Sequence, residues 1–232
     1  MFKRKILSKL EAWKQDERHK PLILRGARQV GKTTVVNEFG SQFDNYLYFN
    51  LEMSESVRLF EMDIPLNDLV NMLFASLGKS QKEGSTLIFI DEIQNSPKTI
   101  ALLRYFYEQR PDLYVIAAGS LLENLVDVNV SFPVGRVMYL ALRPCSFYEF
   151  LGAIGKNNLL TILSQKAEYS IAFHEQLMHQ FNQYTIIGGM PEAVQHYAET
   201  QDIIAIEDVY ETLVQAYKDD SEKYARSNKL TD

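Results

Sequence analysis

The chain has 232 residues, of which 46% are hydrophobic and 23% are charged, and its net charge is −6. This composition is typical of a globular protein with one large domain or two small ones. No stretch approaches the ~18 apolar residues that a membrane span needs, and the polar N-terminus lacks a signal-peptide pattern. The single cysteine, Cys145, excludes an internal disulfide and a thiolate zinc site. We therefore predict a cytoplasmic protein without a membrane partner.

Helical and strand patterns alternate along residues 1–143. Apolar residues repeat at helical spacing near the N-terminus, and two later runs, NYLYFNL and TLIFI, are typical of strands. The predicted elements are, in chain order, a helix at 3–17, a strand at 21–24, a helix at 32–39, a strand at 45–51, helices at 55–61 and 66–77, a strand at 86–90, a helix at 97–109, a strand at 113–118, a helix at 121–126 and a strand at 137–142. Strands that are apolar throughout and alternate with helices indicate a parallel sheet covered on both faces.

After Pro144 the pattern is helical throughout. Helices are predicted at 146–152, 158–164, 169–183, 191–199 and 203–217. Gly188 and Gly189 interrupt this region. We therefore predict an α/β domain at residues 1–143 and a small helical lid at residues 144–232.

The charge is unevenly distributed along the chain. Residues 1–35 hold ten Lys/Arg and three Asp/Glu, whereas the remaining 197 residues hold fourteen and twenty-seven. A basic N-terminal stretch suits a phosphate ligand, but a nucleic-acid site usually needs a basic face on the whole domain. A solvated helix surface is therefore the favoured interpretation, and nucleic-acid binding is the weaker alternative.

The segment Gly26–Thr33 (GARQVGKT) matches the phosphate-loop pattern G-x-x-x-x-G-K-[ST] at every fixed position. Gly26 and Gly31 permit backbone angles that let successive N–H groups turn inward and bind an anion. Lys32 supplies a charge to the β- and γ-phosphates, and Thr33 offers a hydroxyl to Mg²⁺. The predicted nucleotide contacts are Gly26, Ala27, Arg28, Gln29, Val30, Gly31, Lys32, Thr33 and Thr34.

A second element follows the apolar strand LIFI, which ends in Asp91 and Glu92. A buried parallel strand delivers its carboxylate at the edge of the sheet where ligands bind. Asp91 would hold Mg²⁺, and Glu92 is placed to orient and deprotonate an attacking water. Asp91 comes 59 residues after Lys32, so a further strand is expected between these two motifs. The adjacent glutamate favours hydrolysis of bound ATP over phosphate transfer.

Ser120 follows the apolar strand VIAAG. If this strand lies between those that carry the phosphate loop and Asp91, Ser120 can bind the γ-phosphate or the attacking water. The alternative is a helix N-cap, a position that serine favours.

Arg136 lies just before the last predicted strand. Its guanidinium could neutralise charge in the transition state, from the same chain or from a neighbouring one, an effect worth ~10³–10⁵ in rate. The alternative is a surface arginine in a turn.

Gly188-Gly189-Met190-Pro191 breaks the helical region. Glycine lets the backbone approach a ligand, and proline favours the first turn of a helix, so Gly189 and Pro191 are candidate nucleotide contacts. A plain turn between two helices is the alternative.

These segments carry a resemblance to a known family. In order, they are LRGARQVGKTT, YFNLE, LIFIDEIQ, VIAAGSLLE, PVGRV, RPCSFYEFL and GGMPEAV. They resemble the prokaryotic AAA-type ATPases that carry a C-terminal, nuclease-like domain of unknown function, and more broadly the STAND and AAA+ NTPases. The resemblance covers about residues 3–220. It implies a P-loop NTPase fold with a five-stranded parallel sheet of order 5-1-4-3-2 and a C-terminal helical lid.

The resemblance also implies roles for individual residues. The Walker A and Walker B motifs assign nucleotide, Mg²⁺ and catalysis to Lys32, Thr33, Asp91 and Glu92. Ser120 takes the sensor position, and Arg136 takes the position of an arginine finger. In the lid, Gly189 and Pro191 resemble a glycine–proline element that contacts nucleotide. The N-terminal helix, with Arg4 and Ile6, corresponds to the segment that shelters the adenine.

The chain departs from the family in two respects. Family members usually continue well past the position of Asp232, so we expect the lid to be cut short before a further C-terminal domain. Basic residues at the sensor positions of the lid are also sparse.

Three hypotheses of function follow. The first is a Mg²⁺-dependent ATPase whose cycle moves the lid against the core. The second is a nucleotide-gated switch that holds ADP or ATP with little turnover. The third, a DNA-associated ATPase, rests only on the basic N-terminus. Self-association through Arg136 is expected if that residue acts on a neighbouring chain, and the sequence does not identify a protein partner.

Overall fold

The structure is a computed structural model that describes residues 2–119, 133, 135–165 and 170–229. The chain divides into two compact units. One unit is Lys5–Arg143, and the other joins Met1–Arg4 to Pro144–Asp232. The predicted helix at 121–126 lies outside the described residues.

The unit Lys5–Arg143 alternates strands with helices, as the sequence predicts. Its strands are β1 (Leu22–Arg25), β2 (Asn45–Asn50), β3 (Thr86–Asp91), β4 (Leu113–Gly119) and β5 (Met138–Ala141). Its described helices are α1 (Ile6–Lys14), α2 (Lys32–Gly40), α3 (Ser54–Phe60), α4 (Leu66–Ser76) and α5 (Pro97–Gln109), and a 3₁₀ turn, Ile93–Asn95, follows β3. The boundaries agree with the predicted ones to within a few residues.

The five strands form one parallel sheet in the order β2-β3-β4-β1-β5. This order is the predicted 5-1-4-3-2 read from the other side. In β1, Leu22 pairs with Met138 and Arg25 pairs with both Gly119 and Ala141. The carboxyl ends of β1, β3 and β4 therefore lie side by side, and the phosphate loop and Asp91 are placed at the same edge of the sheet.

Helices cover both faces of this sheet, which explains why its strands are apolar throughout. On one face, Ile88 and Val115 belong to a buried cluster that includes Leu69 of α4 and Leu103 of α5. On the other face, Tyr114 contacts Trp13 of α1, which in turn contacts Phe39 of α2. All six residues of β3 are buried, so this strand holds its last residue, Asp91, in a fixed position.

The second unit is helical. Its helices are α6 (Phe147–Ala153), α7 (Asn157–Gln165), α8 (Ile171–Ile187), α9 (Pro191–Thr200) and α10 (Glu207–Lys229), with a 3₁₀ turn at Ile204–Ile206. Two predicted boundaries are wrong. The helix predicted to end at 183 continues to Ile187, where Gly188 ends it with a φ of +74°. The helix predicted at 203–217 begins as the 3₁₀ turn and then runs on as α10.

A reciprocal cap begins α6. The Ser146 hydroxyl accepts from the N–H of Glu149, and the Glu149 carboxylate accepts from the N–H of Ser146. This capping box satisfies two backbone donors at the start of the helix. Glu149 also binds Arg4, which ties the N-terminal residues to the helical unit. Over the described ranges, no helix is both long and apolar enough to cross a membrane.

Candidate functional site

The phosphate loop connects the end of β1 to the start of α2, and its two pattern glycines are required for different reasons. A Cβ on Gly26 would lie 2.3 Å from the carbonyl oxygen of Leu142, so no larger residue fits there. Gly31 has a φ of +87°, a left-handed conformation that strains other residues. Gln29 also has a positive φ, +60°, although it is not glycine. The loop thus has the turned backbone that directs successive N–H groups toward an anion.

Lys32 begins α2, and its side chain folds back over the loop. Its ammonium donates to the carbonyl oxygens of Gly26, at 2.9 Å, and Ala27, at 3.0 Å. Burial lowers the pKa of Lys32, and the nearby carboxylates of Glu92 and Asp91 oppose this effect. The positive charge is held beside the loop by weak neutral acceptors, and a phosphate would bind it more strongly.

Thr33 and Asp91 join α2 to β3. The Thr33 hydroxyl donates to Asp91 Oδ2 at 2.6 Å, and the N–H of Glu92 donates to Asp91 Oδ1 at 3.0 Å. Burial raises the pKa of Asp91, and these two hydrogen bonds act in the opposite direction. A hydroxyl has one proton and two lone pairs, so Thr33 gives its proton to Asp91 and keeps its lone pairs for another ligand.

This donor set fits Mg²⁺. Hydroxyl and carboxylate oxygens are the ligands that this hard cation prefers, and it usually takes one or two of them together with water and substrate phosphates. Across the described part of the chain there is no group of three or more His, Cys, Asp or Glu residues that could hold a metal ion. Thr33 and Asp91 therefore suit a cation that arrives with a nucleotide, rather than one held by protein groups alone.

Glu92 leaves β3 in a left-handed conformation, with φ +53° and ψ +44°. This conformation is uncommon for a residue with a side chain and is concentrated at functional sites. The Glu92 carboxylate accepts a hydrogen bond from the side-chain amide of Gln94. Sequence reasoning did not single out this contact, although Gln94 lies two residues after Glu92 in the segment DEIQ.

Ser120 lies outside the described residues. The condition on which its sensor role was predicted is nevertheless confirmed, because β4 lies between β1 and β3. β4 ends at Gly119, so the chain leaves the sheet between the phosphate loop and Asp91. The sensor role itself stays a prediction.

Arg136 is not brought to the phosphate loop of its own chain. It precedes β5, whose first residue, Met138, pairs with Leu22 at the amino end of β1. The phosphate loop starts at the other end of β1, and the four residues from Leu22 to Gly26 separate the two levels by ~13 Å at ~3.3 Å each. Arg136 instead pairs with Glu108 of α5, with Nε and Oε1 2.6 Å apart.

Gly188 and Gly189 have packing roles inside the helical unit. A Cβ on Gly189 would lie 2.5 Å from the carbonyl oxygen of Cys145, and the N–H of Cys145 donates to the carbonyl of Gly189 at 2.6 Å. A Cβ on Gly188 would lie 2.5 Å from the hydroxyl of Tyr210. Pro191 begins α9, as predicted. The turn between two helices thus accounts for these residues, and contact of Gly189 and Pro191 with nucleotide stays a prediction.

Arg4 and Ile6 belong to different units. Arg4 is buried in the helical unit, where its Nε lies 3.0 Å from Glu149 Oε1. Ile6 is buried on α1 of the α/β unit. Their contact with adenine stays a prediction.

Two known families match separate parts of the chain. A family model described as "AAA domain" matches residues 18–151, and one described as "Domain of unknown function (DUF8612)" matches residues 178–232. No curated protein matches the chain. A solved structure of PCH-2 from C. elegans is similar at 12% sequence identity and a TM-score of 0.46, over 86% of this chain and 63% of that one. The AAA domain match covers more than half of the chain and includes the phosphate loop, Asp91 and Glu92, and the chain therefore belongs to this family of AAA-type P-loop proteins.

Proposed function

We propose that this protein binds ATP with Mg²⁺ and hydrolyses it, and that the cycle moves the helical unit against the α/β unit. The observation that carries the proposal is the 2.6 Å hydrogen bond from Thr33 to Asp91. It places two oxygen ligands beside the Lys32 ammonium and the start of α2, where an anion is favoured. Membership of the AAA domain family supports nucleotide binding at this position.

The phosphates would be held by the turned backbone of the loop and by Lys32. The ammonium would leave the carbonyl oxygens of Gly26 and Ala27 for the β- and γ-phosphates, because a charged acceptor binds it more strongly. Thr33 and Asp91 would hold Mg²⁺, Asp91 through water. When bound, this ion would neutralise part of the negative charge on the phosphates.

Glu92 would act as the general base. Its backbone N–H is fixed by Asp91, so its side chain leaves the same strand end that carries the metal ligands. The carboxylate would take a proton from water as the water oxygen bonds to the γ-phosphorus. The bond between that phosphorus and the bridging oxygen would break, and its electron pair would leave with ADP.

The unit formed by Met1–Arg4 and Pro144–Asp232 is the proposed lid. Gly189 and Pro191 are its proposed nucleotide contacts. A distance measurement between labels at exposed sites on the two units, for example Lys82 and Asn158, tests this motion. A distance that stays the same without nucleotide, with ADP and with a non-hydrolysable ATP analogue would contradict it.

A second function, a nucleotide-gated switch with little turnover, is favoured by the placement of Arg136. The residue lies at the edge of the sheet opposite the phosphate loop and is paired with Glu108. A single chain would therefore hydrolyse ATP without this arginine. Nucleotide retained through purification, together with turnover that does not rise with protein concentration, would favour the switch over the ATPase.

Phosphate release by two variants tests the main proposal. Lys32→Ala removes the phosphate contact, so we expect the affinity for nucleotide to be lost. Glu92→Gln keeps binding but removes the base, so kcat should fall by ~10²–10⁴-fold. Lys82→Ala and Glu83→Gln are matched controls, because both side chains are exposed in the turn before β3, at the opposite edge of the sheet. Turnover in Glu92→Gln equal to that of the wild type would refute the proposal.

A further inference from the structure

The side-chain amide of Gln94, just after β3, is hydrogen-bonded at its nitrogen but not at its oxygen. Its side-chain nitrogen donates to the Glu92 carboxylate. Its side-chain oxygen, Oε1, is buried, and among the described residues it has no hydrogen-bond partner. A buried acceptor without a partner costs free energy, and the hydrogen bond that the other end of the amide donates to the Glu92 carboxylate offsets part of that cost.

The carboxylate determines which way the amide points. An ionised carboxylate only accepts hydrogen bonds, so it must face the NH₂ group of Gln94 rather than the carbonyl oxygen. The oxygen therefore faces away from the carboxylate, where the protein shields it from solvent. Glu92 and Gln94 belong to one tight turn: Glu92, in its left-handed conformation, precedes the 3₁₀ segment Ile93–Asn95, and Gln94 lies inside that segment.

We propose that Gln94 is a positioning residue for hydrolysis, which holds the Glu92 carboxylate in place for the attacking water. This inference rests on the proposed ATPase function. A water molecule has two protons and two lone pairs. If it donates one proton to Glu92, its oxygen keeps a lone pair for the γ-phosphorus.

Gln94 gains and loses no proton in this step. The water proton that faces Glu92 passes to the carboxylate as the oxygen bonds to phosphorus, and the bridging oxygen leaves with ADP. The second proton stays on the oxygen that becomes part of the released phosphate. A carboxylate held in one position restricts the orientation of the water, and loss of orientation of a reacting group can cost about 10- to 100-fold in rate.

The first test compares Gln94→Ala with Asn95→Ala, an exposed neighbour in the same 3₁₀ turn. We expect Gln94→Ala to lower kcat for phosphate release by about 10- to 100-fold. The Kd for a fluorescent ADP analogue should stay within about twofold, since the side-chain hydrogen bond of Gln94 is to Glu92, which is not a predicted phosphate ligand. Asn95→Ala should behave like the wild type. A normal kcat in Gln94→Ala would overturn the inference.

The rate effect of Gln94→Ala in the wild type and in the Glu92→Gln variant distinguishes a role through Glu92 from a purely structural role. If Gln94 acts only by positioning Glu92 and its water, Gln94→Ala should slow the Glu92→Gln variant by less than about twofold. A purely structural residue would lower the rate by the same factor in both backgrounds. Equal factors would therefore overturn the inference, even if the single variant is slow.

The variant Gln94→Glu adds a pH signature. A protonated glutamic acid has one donor and one acceptor, as the glutamine amide does, whereas its carboxylate has acceptors only and repels Glu92. The rate of Gln94→Glu relative to wild type should rise as the pH falls from 8 to 5, and that of Gln94→Ala should stay constant. A constant ratio for both variants would contradict the inference. If the wild type itself releases no phosphate, the ATPase proposal fails first and this inference fails with it.

Discussion

Arg136 and Glu108 form an ion pair, with Nε and Oε1 2.6 Å apart, at the edge of the sheet opposite the phosphate loop. Glu108 also accepts from Arg104 at 2.9 Å, and the two guanidinium groups together lower the pKa of its carboxyl. Arg136 is therefore held at the amino end of the sheet, away from the phosphate loop of its own chain, and we expect it to act on a nucleotide bound by a neighbouring chain. An exposed pair of this kind is weak, so Arg136 can leave Glu108 at small cost.

Arg136→Ala should reduce only the part of the turnover that depends on a neighbouring chain. For the wild type, we expect phosphate release per chain to rise with protein concentration. In the variant this rise should be lost, with a fall of at least ~10-fold in concentrated protein. The affinity for nucleotide should be unchanged, because this residue lies at the amino end of the sheet and the loop of its own chain lies at the carboxyl end.

Arg104→Ala is the control for this variant, since it removes the other partner of the same carboxylate. It should keep the concentration dependence. A wild-type rate per chain that is constant over a hundredfold range of concentration would argue against any role of Arg136 on a neighbour, and would favour the switch.

Asp91→Asn should stabilise the nucleotide-free protein while it abolishes the response to Mg²⁺. Burial raises the folded-state pKa of Asp91 above its ordinary value of 3.8. When the pKa of a carboxyl is higher in the folded state than in the unfolded state, ionisation of that carboxyl destabilises the fold. The free energy of unfolding therefore falls as the pH rises from the unfolded-state pKa through the folded-state pKa. Above that pH window the wild type buries a charged Asp91 and the variant buries a neutral amide. The Tm of the variant at pH 7 should therefore exceed that of the wild type by a few degrees, since each kcal/mol of unfolding free energy shifts Tm by about 2–4 °C.

Thermal unfolding between pH 4 and 8, with and without Mg-ATP, checks this prediction. The difference in Tm between variant and wild type should shrink toward the acid end, and only the wild type should be stabilised by Mg-ATP. An equal rise in both proteins on adding Mg-ATP would mean that Asp91 does not contribute to metal binding.

The phosphate loop and the parallel sheet could be predicted because they depend on local patterns, whereas the order of the strands was implied by the resemblance to AAA-type ATPases. The glycine spacing, the apolar strand before Asp91 and the long interval after Lys32 are all visible in the sequence, and β3 is buried at every position as its composition requires. Contacts between distant side chains could not be predicted in this way. Arg4 and Glu149 are 145 residues apart and meet only because the N-terminal residues belong to the helical unit.

The local geometry at Glu92 was missed for a different reason. The sequence shows a glutamate after a strand, but it does not show the positive φ that turns the chain there or the bond to Gln94. The glycines at 188 and 189 left two interpretations open in the sequence, a contact with nucleotide and a plain turn between helices. In the structure they lie against Tyr210 and Cys145, and the contact of Gly189 with nucleotide stays a prediction.

Gly26→Ala should abolish nucleotide binding and destabilise the α/β unit. The added methyl would lie 2.3 Å from the Leu142 carbonyl, a backbone atom that can move only if β5 moves. Overpacking of this kind costs ~1–3 kcal/mol. Gly152→Ala is the matched control, because its methyl meets nothing closer than 4.0 Å and alanine favours the helix. Urea unfolding and calorimetric titration with Mg-ATP measure the two effects, and normal titration heat in Gly26→Ala would contradict the close packing of the loop.

Arg4→Met should unfold the helical unit more readily than any exposed substitution in it. Both side chains of the Arg4–Glu149 pair are buried, at 6% and 8% exposure, so the variant leaves the Glu149 charge buried without this partner. Breaking such a pair from one side costs ~3–5 kcal/mol, whereas replacing both partners with apolar residues costs less. We therefore expect the double variant Arg4→Met/Glu149→Met to be less destabilised than the sum of the two single variants. Urea unfolding followed by circular dichroism measures the three values, and strict additivity would show that the two side chains do not interact.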